Sequence, residues 1–323
     1  MYVLTFYKRN RTGFTLIELL VVISIIALLL SILTPSLRAV RQTAYQVICG
    51  THTGAVTHGL IMYTLDFNGC LPAAYTYADS GTDIPLIKHW SYVLEETDCI
   101  TTKHLTCPAL KKGGLPPRST SDDNLEVGQV SLVAGQNDLQ ATRCAYTVNE
   151  AVCPRNRFTK GFEEAIRTSR YVKPSEIKMT SNTILVTEWT TQWQMLSEDG
   201  DGSCSSYLPV HGVKAVGTSK HNDLNSVPID PGKPCFSGGI YEKRMVSELS
   251  LWQSPARISP PRLDWVGRNH GLLKQSNKQD LRKSNFAYAD GHVECKSVFE
   301  TVGPDFEWGD RVYSIDSPEN NIK

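Results

Sequence analysis

The sequence predicts an α+β protein, built from one long N-terminal helix and a following domain of antiparallel strands. Three features predict it. From Phe14 to Thr34 run 21 residues, of which Glu18 alone is charged. Beyond Pro35, apolar residues recur at helical spacing as far as Leu65. Near the C-terminus, two strand-like segments flank Asp290-Gly291, a strong short-range hairpin signal.

The apolar run comes first. As a helix rising 1.5 Å per residue it spans about 31 Å, the thickness of a bilayer core. A carboxylate costs about 2.5–3.5 kcal/mol at the centre of such a helix on insertion scales, and less near an end, where Glu18 lies. Glu18 therefore needs a partner. A secretory signal also has a basic start and an apolar run, but its cut follows the run at a small-residue site. Here the chain continues Thr34-Pro35-Ser36-Leu37-Arg38, which offers none.

Pro35 cannot donate its backbone hydrogen bond, so a kink is expected there. Leu37, Val40, Ala44, Val47, Ile48, Thr51, Ala55 and Met62 then form the stripe expected to face a core. Gly50, Gly54 and Gly59 weaken the middle of this segment and make a break there an expectation. Asp66-Phe67-Asn68-Gly69, followed by Pro72, should end the helix, with the glycine at positive φ.

Strand composition appears at Ile184–Trp189 and Ala145–Val148, and the hairpin joins Phe286–Ala289 to His292–Lys296. A type I′ turn at Asp290-Gly291 would need positive φ at both positions. Polar or proline-rich loops are expected at about 111–139, 197–206 and 222–239. The resulting division is 1–13 ahead of the span, 14–34 as the span, 35–69 as the exposed half of the helix, 70–316 as the domain that follows it and 317–323 as a frayed tail.

With 33 basic and 33 acidic residues the chain is neutral. Loss of residues 1–13 would leave 30 basic against 33 acidic, a net charge of −3. Nucleic acid is not an expected partner, since its binders usually carry a strong basic excess. Nine cysteines without a C-x-x-C spacing argue against a zinc ribbon and for an oxidising location. Cys49 lies close to the span. Of the rest, Cys99 with Cys107, and Cys144 with Cys153, are near enough in sequence to close local disulfide loops.

Lys8, Arg9, Arg11, Gly13 and then Phe14-Thr15-Leu16-Ile17-Glu18 resemble the leader and cleavage signal of type IV pilins and type II secretion pseudopilins. The resemblance implies cleavage after Gly13 by a prepilin peptidase, N-methylation of Phe14 and recruitment of each subunit into a filament through Glu18. It also implies a sheet laid across the exposed half of the helix. The physics of Glu18 agrees, because a buried carboxylate is best neutralised by a cation and the freed α-amino group of a neighbouring Phe14 is the nearest one.

A second resemblance lies downstream. Cys107-Pro108, Tyr146–Asn149, Pro174–Ile177 through Glu188, Arg268-Asn269-His270-Gly271 and Asn285-Phe286 to Val293 are similar to a large pilin-like family with a C-terminal motif of histidine, nine residues, then Asp-Gly. Here 19 residues separate His270 from Asp290 and Gly291, which departs from that motif by ten. An inserted loop, Leu272 to Arg282, accounts for the difference.

No H-E-x-x-H, G-x-S-x-G or P-loop occurs, so no enzymatic activity is expected. The acidic loop Glu198–Ser203 places oxygen ligands at Asp199, Asp201 and Ser203, the alternation calcium needs, although the full EF-hand pattern fails. His52 and His58, six apart on a helix, fall on different faces. His89-Trp90 reads as a half-buried aromatic pair.

The expected function is that of a prepilin-like structural subunit of a type IV pilus or type II secretion pseudopilus. Its partners are other pilin-like subunits, the prepilin peptidase, an inner-membrane assembly platform and the membrane itself. The expected location is the bacterial inner membrane, single-pass, with a cytoplasmic N-terminus and a periplasmic or cell-surface domain. The alternative is a membrane-tethered carbohydrate-binding domain that uses the signal for export, with Trp189, Trp193, Trp252 and Trp265 stacking on sugars.

Overall fold

The structure, a computed structural model, describes residues 14–78, 86–110, 112–117, 137–158, 170–190, 209–216, 240–246, 262–271, 275–276 and 279–314. The chain divides into two compact units, Met1–Gln42 and Thr43–Lys323. Helix α1, Leu16–Asp66, supplies all the described residues of the first but Phe14 and Thr15, and enters the second.

Within the first unit α1 carries its large apolar side chains outward: Leu16, Ile17, Leu28, Ile32 and Leu37 are all exposed. Its few hydroxyls are satisfied within the helix. Ser24 donates to the Val21 carbonyl, Ser31 to Leu28, Thr34 to Leu30 and Ser36 to Leu33, each at 2.7–2.8 Å. A segment facing an apolar medium has to close its polar groups in this way.

Helix α1 runs through Gly50, Gly54 and Gly59 without interruption, contrary to the expected break. A β-carbon at Gly50 would lie 3.1 Å from Asn285 Oδ1, and one at Gly59 would lie 2.3 Å from Ile100 Cγ2. These glycines admit close neighbours. The expected core stripe is also corrected, since Leu37, Val40, Val47, Ile48 and Met62 are exposed. The buried face is Cys49, His52, Thr53, Val56, Thr57, Leu60 and Thr64. It is half polar and self-satisfied, with Thr53 Oγ1 donating to the Cys49 carbonyl at 2.7 Å and Thr57 Oγ1 to the Thr53 carbonyl at 3.1 Å. The helix ends where expected, with Asn68 at φ +57° and Gly69 at φ +74°.

The principal sheet of the second unit is antiparallel throughout, in the order β12-β11-β6-β4. Its strands are β4 (Tyr146–Val148), β6 (Ile184–Glu188), β11 (Lys283–Tyr288) and β12 (Val293–Ser297). All four strand segments expected from the sequence are therefore in one sheet. From Ser284 to Tyr288 every β11 side chain is buried, so both faces of that strand are covered. Asn285 donates to the Gln46 carbonyl of α1, while Phe286 meets Trp308 edge-on with ring centroids 6.4 Å apart.

The turn between β11 and β12 is not type I′. Only Gly291 takes positive φ, +97°, and its N–H donates to the Tyr288 carbonyl at 2.9 Å. The Tyr288 N–H donates to the His292 carbonyl, which makes a three-residue loop closed by a left-handed glycine.

A second four-stranded sheet has the order β3-β2-β1-β5, from β1 (Tyr75–Ala78), β2 (Leu86–His89), β3 (Asn137–Leu139) and β5 (Arg155–Phe158). Two two-stranded ribbons pair β7 (Val213–Val216) with β8 (Ile240–Lys243) and β9 (Gln275–Ser276) with β10 (Gln279–Asp280). The second ribbon falls in the segment 272–282 that separates His270 from the hairpin.

After β2 comes the short helix α2, Trp90–Glu96, capped by His89, whose Nδ1 accepts the Ser91 N–H at 3.2 Å. His89 and Trp90 are fully rather than half buried. Burial pushes His89 down to about 3 from its ordinary 6.5 and keeps the acceptor nitrogen unprotonated.

The disulfides differ from those expected. Cys107 is bonded to Cys49 of α1, across 58 residues of sequence, and Cys99, Cys144 and Cys153 are free. Cys99 is half-buried, whereas burial holds the Cys144 thiol up at about 12 and raises that of Cys153.

Two outcomes follow from the helix anchors. Cys107→Ser removes a cross-link whose loop length corresponds to about 4 kcal/mol of unfolded-chain entropy. A urea titration of the detergent-solubilised chain should show that loss, and an unchanged midpoint would refute it. Neutral His89 contributes stability that is whole above about pH 6.5 and is lost as pH falls toward 3, because only the unfolded chain takes up the proton in that window. His89→Asn, a capping residue that cannot titrate, should flatten this part of the stability profile.

Candidate functional site

Among the described residues, two polar arrangements bear on function, and each is organised by a glutamate. The first is at the start of α1. Thr15 precedes the first helical residue, and its Oγ1 accepts the Glu18 N–H at 3.3 Å. The Glu18 carboxylate reaches back to accept the Thr15 N–H at 2.8 Å and the Thr15 hydroxyl at 2.7 Å. This is a reciprocal capping box. It satisfies two orphan donors and holds a carboxylate beside the positive end of the helix dipole. Phe14 is 73% exposed at the chain end of the described residues, and Gly13 lies outside them.

The partner that Glu18 needed is therefore partly within its own chain. Thr15 was not singled out from the sequence, although Thr-x-x-Glu ahead of an apolar run is a capping-box pattern. Following it, α1 is long and apolar enough to cross a membrane, with a mean hydropathy of 3.0 over its most apolar 18 residues, none of them buried.

The second arrangement lies between α1 and the principal sheet, inside the second unit. Strand register places Tyr146 opposite Glu188 and Asn285 opposite Cys295. The Glu188 Oε1 accepts Asn285 Nδ2 at 2.7 Å and His270 Nε2 at 2.8 Å, and Oε2 accepts Asn269 Nδ2 at 3.1 Å. Glu188 is wholly inaccessible and His270 is nearly so. Tyr146 donates to the Cys49 carbonyl at 3.4 Å, and burial, then the Glu188 charge, raise its phenol. The same two causes push the Cys295 thiol up to about 11. Cys49 and Cys107 complete the group, with sulfurs near the Glu188 and His270 ligand atoms.

Glu188 and the role of Cys49 escaped the sequence reading. A glutamate ending an apolar strand, Ile-Leu-Val-Thr-Glu, was the available signal. His270 and Asp290 do not partner one another: the ring of His270 bonds Glu188, while Asp290 Oδ1 accepts from the His292 ring at 2.6 Å. Gly291 serves the turn. His52 bonds the Thr106 carbonyl and His58 the Gly54 carbonyl, at 2.7 and 2.8 Å. Trp189 and Trp265 are buried with ring centroids 6.0 Å apart, so neither presents a face for a sugar. Trp193, Trp252 and the proposed calcium ligands Asp199, Asp201 and Ser203 lie outside the described residues.

Comparison with known proteins bears on the first arrangement. Residues 8–34 match the model of the prokaryotic N-terminal methylation motif. Over 60 residues, 19% of its length, the chain is 43% identical to the type IV wide pilus major component PilA4 of Thermus thermophilus. It covers 46% of that relative, less than half. No solved structure matches the chain.

For the second arrangement, Glu188→Ala removes the acceptor of the buried His270 ring and one acceptor each of the Asn285 and Asn269 amides, which keep the Gln46 and Trp189 carbonyls. It should cost about 3–5 kcal/mol. Chemical denaturation of the full chain measures this, and a loss below about 1 kcal/mol would mean that the carboxylate does not hold the helix and sheet together.

Proposed function

We propose that this chain, type IV pilin-like in its N-terminal segment, is a structural subunit processed and assembled through that segment. The observation that carries the reading is a capped glutamate at the start of an uncovered apolar helix. Cleavage between Gly13 and Phe14 would free an α-amino group four residues from Glu18, which methylation keeps cationic. In a bundle of such helices the Glu18 carboxylate of one subunit meets the Phe14 amine of the next, and the pair offsets the cost of each charge in lipid. Thr15 holds the carboxylate aimed toward the chain terminus until then.

The rest of α1 fits the same role. Its outward leucines, isoleucines and valines supply apolar contact with lipid or with neighbouring helices. Leu37, Val40, Val47 and Ile48 continue that exposed surface past the span. The exposed domain is then displayed on the outer side of the bacterial inner membrane or beyond it, with the N-terminus cytoplasmic. The partners are a prepilin peptidase, an inner-membrane assembly platform and other pilin-like subunits. The relative is a pilus component, which favours a pilus over a secretion pseudopilus. The role is structural and not enzymatic.

The processing step is read by mass spectrometry of the mature N-terminus. Gly13→Leu should leave the leader attached, and a terminus still at methylated Phe14 would remove the peptidase assignment. Glu18→Ala should be cleaved normally but enter filaments or partner complexes at least about tenfold less, equivalent to about 1.4 kcal/mol. Undiminished incorporation would show that the acid does not recruit.

A further inference from the structure

The four groups between α1 and the principal sheet have the chemistry of a metal centre in one redox state and of a disulfide in the other. The two sulfurs of Cys49 and Cys107, a carboxylate oxygen of Glu188 and a ring nitrogen of His270 all lie within 4.8 Å of one another. All four residues are buried, at 1% exposure or less. They come from four places in the chain: the middle of α1, the segment after the 3-10 turn Thr102–Leu105, the end of β6, and the segment leading to β11. We propose that the thiol form of Cys49 and Cys107, with His270 and Glu188, binds one zinc-class divalent cation, and that metal binding and disulfide formation are alternative closures of this position.

The ligand set argues for that class. Two thiolates and an imidazole select zinc over calcium or magnesium, which take oxygen ligands. Zinc–sulfur bonds near 2.3 Å and zinc–nitrogen bonds near 2.0 Å place ligand atoms of a tetrahedron about 3.3–3.8 Å apart. The present spread of ligand atoms is compatible with that after small rotations. The sulfurs, bonded in the disulfide, must part by about 1.7 Å. Asn285 and Asn269 already donate to Glu188, so the carboxylate keeps outer hydrogen bonds when it turns toward a cation. The Nδ1 of His270 is buried without a hydrogen-bond partner, so one ring nitrogen is open when the other faces Glu188.

The chemistry balances. The newly made chain carries two thiols, which lose two protons to solvent when the cation binds. From the disulfide, a dithiol reductant supplies two electrons and two protons and leaves as its own cyclic disulfide. Two thiolates and one carboxylate against a doubly charged cation leave one net negative charge, toward which the two asparagine amides point. Either closure fastens α1 to the Cys107 segment, and the metal adds the end of β6 and the segment leading to β11. The domain can therefore be held together in compartments of opposite redox poise.

The test uses the untagged full chain in detergent micelles, reduced with a phosphine and checked for free thiols by alkylation mass. Cobalt(II) is added as a spectroscopic probe and then displaced by zinc. The expected result is one equivalent of metal with tetrahedral thiolate–cobalt absorption in the reduced chain and none in the oxidised chain. Reduced His270→Gln, whose disulfide lets it fold before reduction, should bind more than tenfold more weakly. If reduction unfolds the chain, zinc should restore its circular dichroism. Equal binding by oxidised and reduced chains would overturn the proposal. So would a thiol-confirmed reduced chain that takes up no metal, folded or not, and so would undiminished affinity in His270→Gln.

Discussion

The second unit depends on bringing a helix backbone close to a sheet that carries a buried carboxylate. Glu188 sits there with both carboxylate oxygens accepting from side-chain donors. Asn285 comes from the neighbouring strand, and His270 and Asn269 come from the segment that returns to it. Asn285 in turn spans the gap to α1, donating to the Gln46 carbonyl at 3.2 Å. Gly50 leaves room for that reach, because a β-carbon there would lie 3.1 Å from Asn285 Oδ1. The glycines that weaken the isolated helix are what permit its packing, and tertiary contact outweighs the propensity loss of about 1 kcal/mol each.

The same constraint explains why the buried face of α1 is half polar. A face lined with leucine would hold the sheet away by the width of its side chains. Threonine returns its hydroxyl to the helix carbonyl and presents a methyl, so Thr53 and Thr57 are compact and satisfied. Large apolar residues are left to the opposite side, where Val47, Ile48 and Met62 are exposed. One helix thus has an inward face chosen for closeness and an outward face chosen for apolar area. The second choice is also the one made along the span.

How much of this was legible in the sequence depended on whether the signal was local. The helix from 16 to 66, its stop at Asn68-Gly69, the strands at 146–148 and 184–188 and the late hairpin are short-range patterns, and they were read correctly. The inward stripe was misread because counting apolar residues finds the face with most hydrocarbon, which here is not the face that packs. The Cys49–Cys107 bond joins residues 58 apart, and proximity in sequence pointed instead to Cys99. The turn at Asp290-Gly291 was expected as two residues, but Ala289 also left the ladder. Its N–H donates to the Thr183 carbonyl, and no feature of the hairpin's own sequence encodes that contact.

The two glutamates mark the difference between the halves of the chain. Glu18 is stabilised by a residue three positions away, so its environment is written in the local sequence and can be exchanged without disturbing a fold. Glu188 is stabilised by residues about 80 to 100 positions away and cannot give up its donors without opening the sheet. A carboxylate that must change partners during assembly belongs in the first setting. One that must organise a domain belongs in the second. The resemblance of the downstream blocks to a histidine and Asp-Gly motif fits this division, because His270 is used for Glu188 and the Asp-Gly pair for a turn. With separate partners, the two ends of that motif are free to move apart in sequence, and the ribbon β9-β10 occupies the space between them.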